Sequence, residues 1–337
     1  MKFSDWFWKW YETYRMNKLQ QVTQKKYETW HEQISKDDFG EMPLKKITRK
    51  DVQDYVSRYG KDRSKSTVNT LSAILKACFQ DAEIDGLIKK SPYQRIEVEY
   101  KEKHYSVEQL KEKREEKKSL DLNEYERLKG FLLVWLNNFL KKPPVTFDSK
   151  NHNSNRAMQF DMMIIFVALK SGCRFSEILG ITEIDYDKEM QEISINKTWN
   201  YKTAAGGFLP TKNIASVRTV LVDQETTEMF ERFIGWKNTT YSESDKDIPI
   251  FIEPNKRMFN DYINKTLRYV LKSLGIENIS FHKLRHTHAS ILVAKKVPDQ
   301  VVAKRLGHTD TNMIRKTYGH LLKEVEDAAN EMIRELI

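Results

Sequence analysis

The sequence predicts a mainly α-helical protein with a small antiparallel β-sheet, divided into two domains. Three observations lead there. Apolar residues recur at helical spacing through most of the chain. One stretch, residues 191–222, switches to a period of two. A run from Lys101 to Leu120 carries charges of both signs and no apolar periodicity, which separates a helical first part from the rest. At 337 residues the chain is long enough for two cores.

Composition narrows the class. A net charge of +9 favours a polyanionic partner, nucleic acid first among them. The two cysteines, Cys78 and Cys173, lack metal-ligand spacing and fit a reducing cytoplasm without disulfides. The longest apolar run, Met162 to Leu169, is far too short to span a bilayer. The opening MKFSDWFWKW has no uninterrupted apolar core before a cleavage site, so no signal peptide is expected. These features predict a cytoplasmic protein with no membrane partner.

Taken in order, Phe3, Phe7, Trp10, Tyr11 and Tyr14 fall at helical spacing, and core packing explains such a stripe better than base stacking. A second helix is predicted over Thr23–Ile34, a turn at Asp38-Phe39-Gly40, and a helix from Lys50 capped by Thr48. Ser64 or Ser66 opens the next, with Val68, Leu71, Ile74, Leu75 and Phe79 on its apolar side, and Asp85-Gly86 ends it. Lys45, Lys46, Arg49, Lys50, Arg58, Lys61, Arg63, Lys65 and Lys76 form a basic stripe without matching acid. Charge runs are ordinarily solvated faces, yet cations at helix starts and turns also suit gripping phosphates. Residues 101–119 form a solvated helix or a flexible linker, and the second domain runs from 120 to 337.

That domain opens with a helix from Asn123 carrying Leu128, Phe131 and Leu132, then a polar loop over Asp148–Asn155. An apolar helix follows over Ala157–Lys170; Gly172 breaks it, and Arg174 starts another, with pairing to Glu177 as its structural alternative. Ile193, Ile195 and Thr198, then Val217, Thr219 and Leu221, give the period-two pattern. Turns at Ala204–Gly207 and Asn213–Ala215 put Thr211-Lys212-Asn213 at a hairpin tip. Helices are predicted over Glu225–Trp236 and Asn260–Leu274, and the tail helix 321–337 turns Val325, Ala328, Met332 and Ile333 to one side.

The densest chemistry lies in Phe281–His320. His282 and Arg285, three apart on a helix, can converge on one small anion. Gly307 reads as a helix stop before His308, and Thr309 or Asp310 can cap a following helix that carries Tyr318. Arg matches phosphate oxygens bidentately. His passes protons near neutral pH, and Tyr becomes a nucleophile when cations and a proton acceptor surround its target. Such a group suits in-line attack on a phosphodiester.

The order H-K-L-R at 282–285, L-G-H at 306–308 and Tyr318 resembles the second half of the catalytic signature of the tyrosine recombinases, the phage-integrase family. The first half resembles it too: C-R-F-S-E at 173–177 matches A-R-x-x-E, and T-K-N-x-x-S-x-R at 211–218 resembles the hairpin that delivers the catalytic lysine. The layout of residues 1–100, with T-x-x-D-V-Q at 48–53 and G-L-I-K-K-S-P at 86–92, resembles the family's helical (SAM-like) core-binding domain.

The resemblance implies a mixed α/β catalytic domain and DNA strand exchange through a 3′-phosphotyrosyl intermediate, without cofactor or metal. Tyr318 would be the nucleophile, and Arg174 and Arg285 the phosphate binders. Lys212, chosen over Lys197 and Lys202, would be the general acid. His282 would accept the Tyr318 proton and His308 would bind a non-bridging oxygen. The implied partners are double-stranded DNA recombination sites, a tetramer assembled on DNA, and accessory DNA-bending or directionality factors. The tail helix either caps its own domain or docks on a neighbouring protomer. Competing expectations are a non-catalytic DNA-binding regulator on the same fold, a type IB topoisomerase, and a metal hydrolase using His282, His286 and His288. The last lacks the general-base Glu beside its first His, where Lys283 stands.

Overall fold

Aromatic residues at helical spacing make the first helix one-sided. In this computed structural model α1 (Phe3–Tyr14) buries Phe3, Trp6, Phe7, Trp10 and Tyr11, so its stripe is core. The structure describes residues 1–19, 21–115, 117, 119–149, 152–203, 205–242, 245–312 and 314. The chain divides into two units, Met1–Glu116 and Lys117–Ile337.

In the first unit α2 (Gln21–Ser35) stacks Tyr27 on Tyr11, ring centroids 4.9 Å apart. The expected turn at Asp38 is a one-turn helix, α3 (Asp38–Glu41), capped by Asp37. It sets Phe39 4.6 Å from the Tyr55 ring. Gly40 is required there, because a Cβ would lie 2.0 Å from the Ile34 carbonyl oxygen. α4 (Arg49–Gly60) starts from a reciprocal cap between Thr48 and Asp51. α5 (Lys65–Ile84) starts at Ser64, not Ser66. The Trp10 indole donates to Asp81 at 2.6 Å, which ties α1 to the far end of α5. Between Lys101 and Leu120, α6 (Val107–Glu115) gives part of the charged run a helical backbone.

The second unit is built around one helix. α7 (Leu122–Phe139) buries Leu128, Leu132 and Leu136, while Phe131 is only half-buried. Where the sequence predicts a polar loop, two strands pair antiparallel: β1 (Thr146–Ser149) and β2 (His152–Ala157). No apolar alternation announces this hairpin because backbone bonding carries it. At its root the Met158 amide donates to Val145 O at 2.7 Å and the Ala157 amide to Glu253 at 2.9 Å. α8 (Met158–Ser171) is buried from Met158 through Leu169, apolar on nearly every side, with α7, α11 (Asn260–Ser273) and α12 (Phe281–Ala294) packed around it. α10 (Gln224–Tyr241) adds Phe230 and Phe233 to the same core.

The period-two region forms two small sheets. β3 (Tyr186–Asp187), β4 (Glu192–Ile195) and β7 (Arg218–Leu221) make one, and β5 (Lys197–Trp199) and β6 (Phe208–Pro210) the other. Val217, Thr219 and Leu221 are the solvent side of β7; Arg218 and Val220 face inward, opposite Ile195 and Ile193. One expectation, the hairpin tip, fails here. The turn between β5 and β6 uses Gly206 and Gly207 at positive φ, so the hairpin tip lies there. Lys212 sits instead on the connection from β6 to β7, ahead of a short 3-10 turn (Ile214–Ser216) capped by Asn213.

Candidate active site

Two helix ends and one strand bring the charged groups together. α8 stops at Gly172, whose left-handed φ of +68° aims the chain at α9 (Phe175–Leu179). A Cβ on Gly172 would meet His288 and Leu306 at 2.8 and 2.9 Å. Gly172→Ala is therefore expected to cost roughly 2–4 kcal/mol, from the left-handed backbone plus overpacking, measured by urea unfolding. Arg174 begins α9 with Nη1 2.6 Å from Glu177 Oε1. Glu177 is buried and bridges: its Oε2 also accepts from Arg218 Nη2 at 2.9 Å. Burial alone would raise the Glu177 pKa; the Arg218 hydrogen bond and charge, with Arg174, override it and hold the carboxyl below its usual range.

α12 supplies Arg285, buried, with Nη1 donating to Gly172 O at 2.8 Å and Nη2 to Leu306 O. Burial, then the charge of Arg174, pushes its pKa down to about 10, so it stays charged at neutral pH. His282, exposed on the same helix, is held below its ordinary value by desolvation and then by Arg285 and Arg174. α13 (Asp299–Leu306) ends at Gly307, again left-handed, as the sequence predicts. Next comes His308, pushed down to about 4 by burial and then by Arg285, Arg174 and Arg218. Its Nδ1 is buried without a hydrogen-bond partner among the described residues. It also lines a cleft of about 640 Å³ between β7 and α13.

Among the described residues, Glu177 is the one carboxylate bonded to Arg174, Arg218, Arg285 or Arg305. Positive charge is in excess, and like charges that depress each other's pKa are relieved by an anion. The His308 imidazole of the free protein is expected to titrate near pH 4. Its NMR titration should move upward when inorganic phosphate or DNA is added, since an anion favours the imidazolium.

The remaining predicted residues are placed differently. Lys212 is exposed, and no bond joins its side chain to the arginines among the described residues. Lys197 pairs with the buried Asp185, and Lys202 lies in the β5–β6 turn. Asp310 accepts from the Asn312 amide at 2.7 Å. Tyr318 and the tail helix 321–337 lie outside the described residues. The three-histidine metal set is not gathered. His282 and His286 face each other, ring centroids 5.4 Å apart, whereas His288 turns into the core. Its Nδ1 bonds Leu169 O at 3.1 Å and its Nε2 accepts from Arg305 Nε at 2.9 Å. Burial and then Arg305 push its pKa down to about 3.

The basic stripe is less free of acid than the sequence suggests: Lys50 pairs with Asp54 at 3.0 Å and Arg58 with Asp37 at 2.7 Å. Arg63 stacks 4.0 Å over the Tyr59 ring, and Arg49 donates to Arg95 O. Lys45, Lys46, Lys61, Lys65 and Lys76 are exposed. Sequence reasoning missed Arg218 and Arg305 as parts of the site, and gave His288 only a metal-ligand role. The S-x-R ending of the 211–218 pattern was the available signal for Arg218.

A family model for the phage integrase family matches residues 136–324, more than half of the chain. The chain belongs to the phage integrase family. Residues 2–59 match the phage integrase N-terminal SAM-like domain, in accord with the all-helical first unit. This phage-integrase chain is 24% identical over 175 residues to the ICEBs1 integrase of Bacillus subtilis, covering 50% of this chain and 48% of that one. It is 23% identical over 359 residues to the tyrosine recombinase XerC-like protein of Caldanaerobacter subterraneus, covering 97% and 81%. It thus spans about half the length of the first curated relatives it matches, 48% and 49%, and more of others. The solved structure of the Tn1549 transposon integrase in complex with transposon right end DNA has the same fold: TM-score 0.72, 19% identity, all of both chains covered. Among the described residues no helix is long and apolar enough to cross a membrane.

Proposed function

We propose that the chain is a site-specific DNA recombinase of the integrase type, which cuts and rejoins DNA for a prophage or other mobile element. The observation that carries this is the excess of guanidinium over carboxylate around Glu177, with a neutral His308 whose buried Nδ1 lacks a partner among the described residues. Such a receptor suits a phosphodiester in its five-coordinate transition state.

The Tyr318 oxygen attacks the phosphorus, and its proton passes to His282, whose lowered pKa keeps it neutral and able to accept. Arg174 and Arg285 bind the non-bridging oxygens, and His308 donates to one of them. The bond to the 5′ oxygen breaks, and that oxygen leaves with the electron pair and takes a proton from Lys212. A 3′-phosphotyrosine remains. The 5′-hydroxyl of another strand reverses the step, restoring Tyr318, so the bond energy is conserved.

In this reading residues 1–100 are the core-binding domain, 101–119 the linker and 120–337 the catalytic domain. The exposed lysines of the first unit grip phosphates, four chains assemble on paired sites, and accessory factors bend the DNA in the cytoplasm. The Tn1549 transposon integrase, bound to transposon right end DNA, supports DNA as the partner.

To test it, the protein selects duplexes from a random pool, and these are nicked near the bound site and returned to it in EDTA. A covalent adduct should accumulate, and peptide mapping should place the phosphate on Tyr318. No adduct, or one on another residue, defeats the reading.

A further inference from the structure

Arg218 is buried on the inward face of β7, where a strand of this kind would ordinarily carry an aliphatic side chain. Its planar group donates in three directions. Nη2 reaches Glu177 at 2.9 Å, Nη1 reaches Ser216 O at 3.0 Å, and Nε reaches Arg305 O at 2.6 Å. These acceptors belong to three separate pieces of the site. Glu177 holds Arg174. Ser216 closes the connection that carries Lys212, and Asn213 stiffens that connection by accepting from the Ser216 amide at 3.0 Å and hydroxyl at 2.7 Å. Arg305 lies in the last turn of the helix that presents His308. Gly307 lets the pieces close: a Cβ there would stand 3.1 Å from Ala215 O and 3.0 Å from Arg218 Nη1.

We propose that Arg218 is a positioning residue that registers the Lys212 connection against the phosphate receptor, an inference that rests on the recombinase reading. Arg218 spends these three donors on the protein, whereas Arg174, with its side chain 28% exposed, faces outward. A rigid fork bonded at three points transmits any shift of one piece to the others. A lysine ammonium at the same place keeps the charge near Glu177 but cannot span the three acceptors.

The experiment compares two nicked duplexes of one selected sequence, one ordinary and one with sulfur in place of the scissile 5′ oxygen. A leaving thiolate needs no proton, so the second substrate bypasses the general acid. Arg218→Lys should form the adduct about 10²-fold more slowly on the ordinary duplex, the scale of a small misplacement. On the sulfur duplex it should approach the native rate, as Lys212→Ala also should. Gel shift should show both variants binding the duplex as the native protein does. Asn213→Ala, at an exposed position, loosens the same connection without touching the buried pair, and should slow the ordinary substrate about tenfold with the same rescue. It carries the test if Arg218→Lys fails to fold. A variant as fast as the native chain, or one slowed equally on both duplexes, overturns the proposal. A native protein that forms no adduct on either duplex defeats the recombinase reading itself, and this inference with it.

Discussion

Arg285→Ala is expected to slow adduct formation by roughly 10²–10³-fold on saturating DNA, the scale of removing one preorganised donor from a developing anion. The bound duplex should still be retained, because the phosphate grip is spread over many cations. The structure adds a second effect. Arg285 satisfies Gly172 O and Leu306 O in a buried setting, so the alanine variant leaves two carbonyls without that donor. Each orphaned group costs about 1–3 kcal/mol, and the thermal midpoint should fall along with the rate. Arg285→Lys separates the effects: charge returns, but one ammonium cannot serve two carbonyls on different segments. If binding collapses in the alanine variant while the rate per bound complex holds, Arg285 is a structural pin and no more.

Glu177→Ala is expected to be among the most destabilising single changes in the second unit, by about 3–5 kcal/mol, because it strands the Arg218 charge in the interior. Urea unfolding at neutral pH measures it. The same carboxylate makes stability depend on acid. Its folded pKa lies below the unfolded value, so the unfolded chain binds the proton more readily. The stabilisation is fully present above the unfolded carboxyl pKa of about 4.3 and is lost as pH falls through the lower, folded value. Native protein should therefore lose stability on acidification below about pH 5, and Glu177→Gln should flatten that part of the profile. A glutamine variant whose pH profile runs parallel to the native one would remove Glu177 from this account.

Much of the architecture is legible in the sequence because it follows from periodicity. Phe3, Phe7, Trp10 and Tyr11 sit at one helical face and are buried, and Gly172 and Gly307 end helices where sequence expects them, both at positive φ. His282 and Arg285 share α12 for the same reason. What escapes is governed by tertiary contacts. Arg218 breaks the apolar alternation of β7, so the exposed Val217 and Leu221 look like its core side. The β1–β2 hairpin has polar residues at nearly every position, and its bonds to Val145 and Glu253 cannot be read from spacing. Lys212 looks like a hairpin tip because Thr211-Lys212-Asn213 has turn chemistry; Gly206 and Gly207 have stronger turn chemistry and take the tip. His288 looks like a third metal ligand by spacing alone, but two residues beyond His286 on a helix it points inward.

The apolar perimeter of α8 bears on how the chain is made. Segments leave the ribosome in order, at about 5–20 residues per second. Met158–Ser171 emerges well before Asn260–Ser273 and Phe281–Ala294, the helices that wrap it. For several seconds of synthesis the greasiest piece of the polypeptide has only half its sleeve, and nascent chains cut short ahead of Phe281 should clump unless a chaperone shields them.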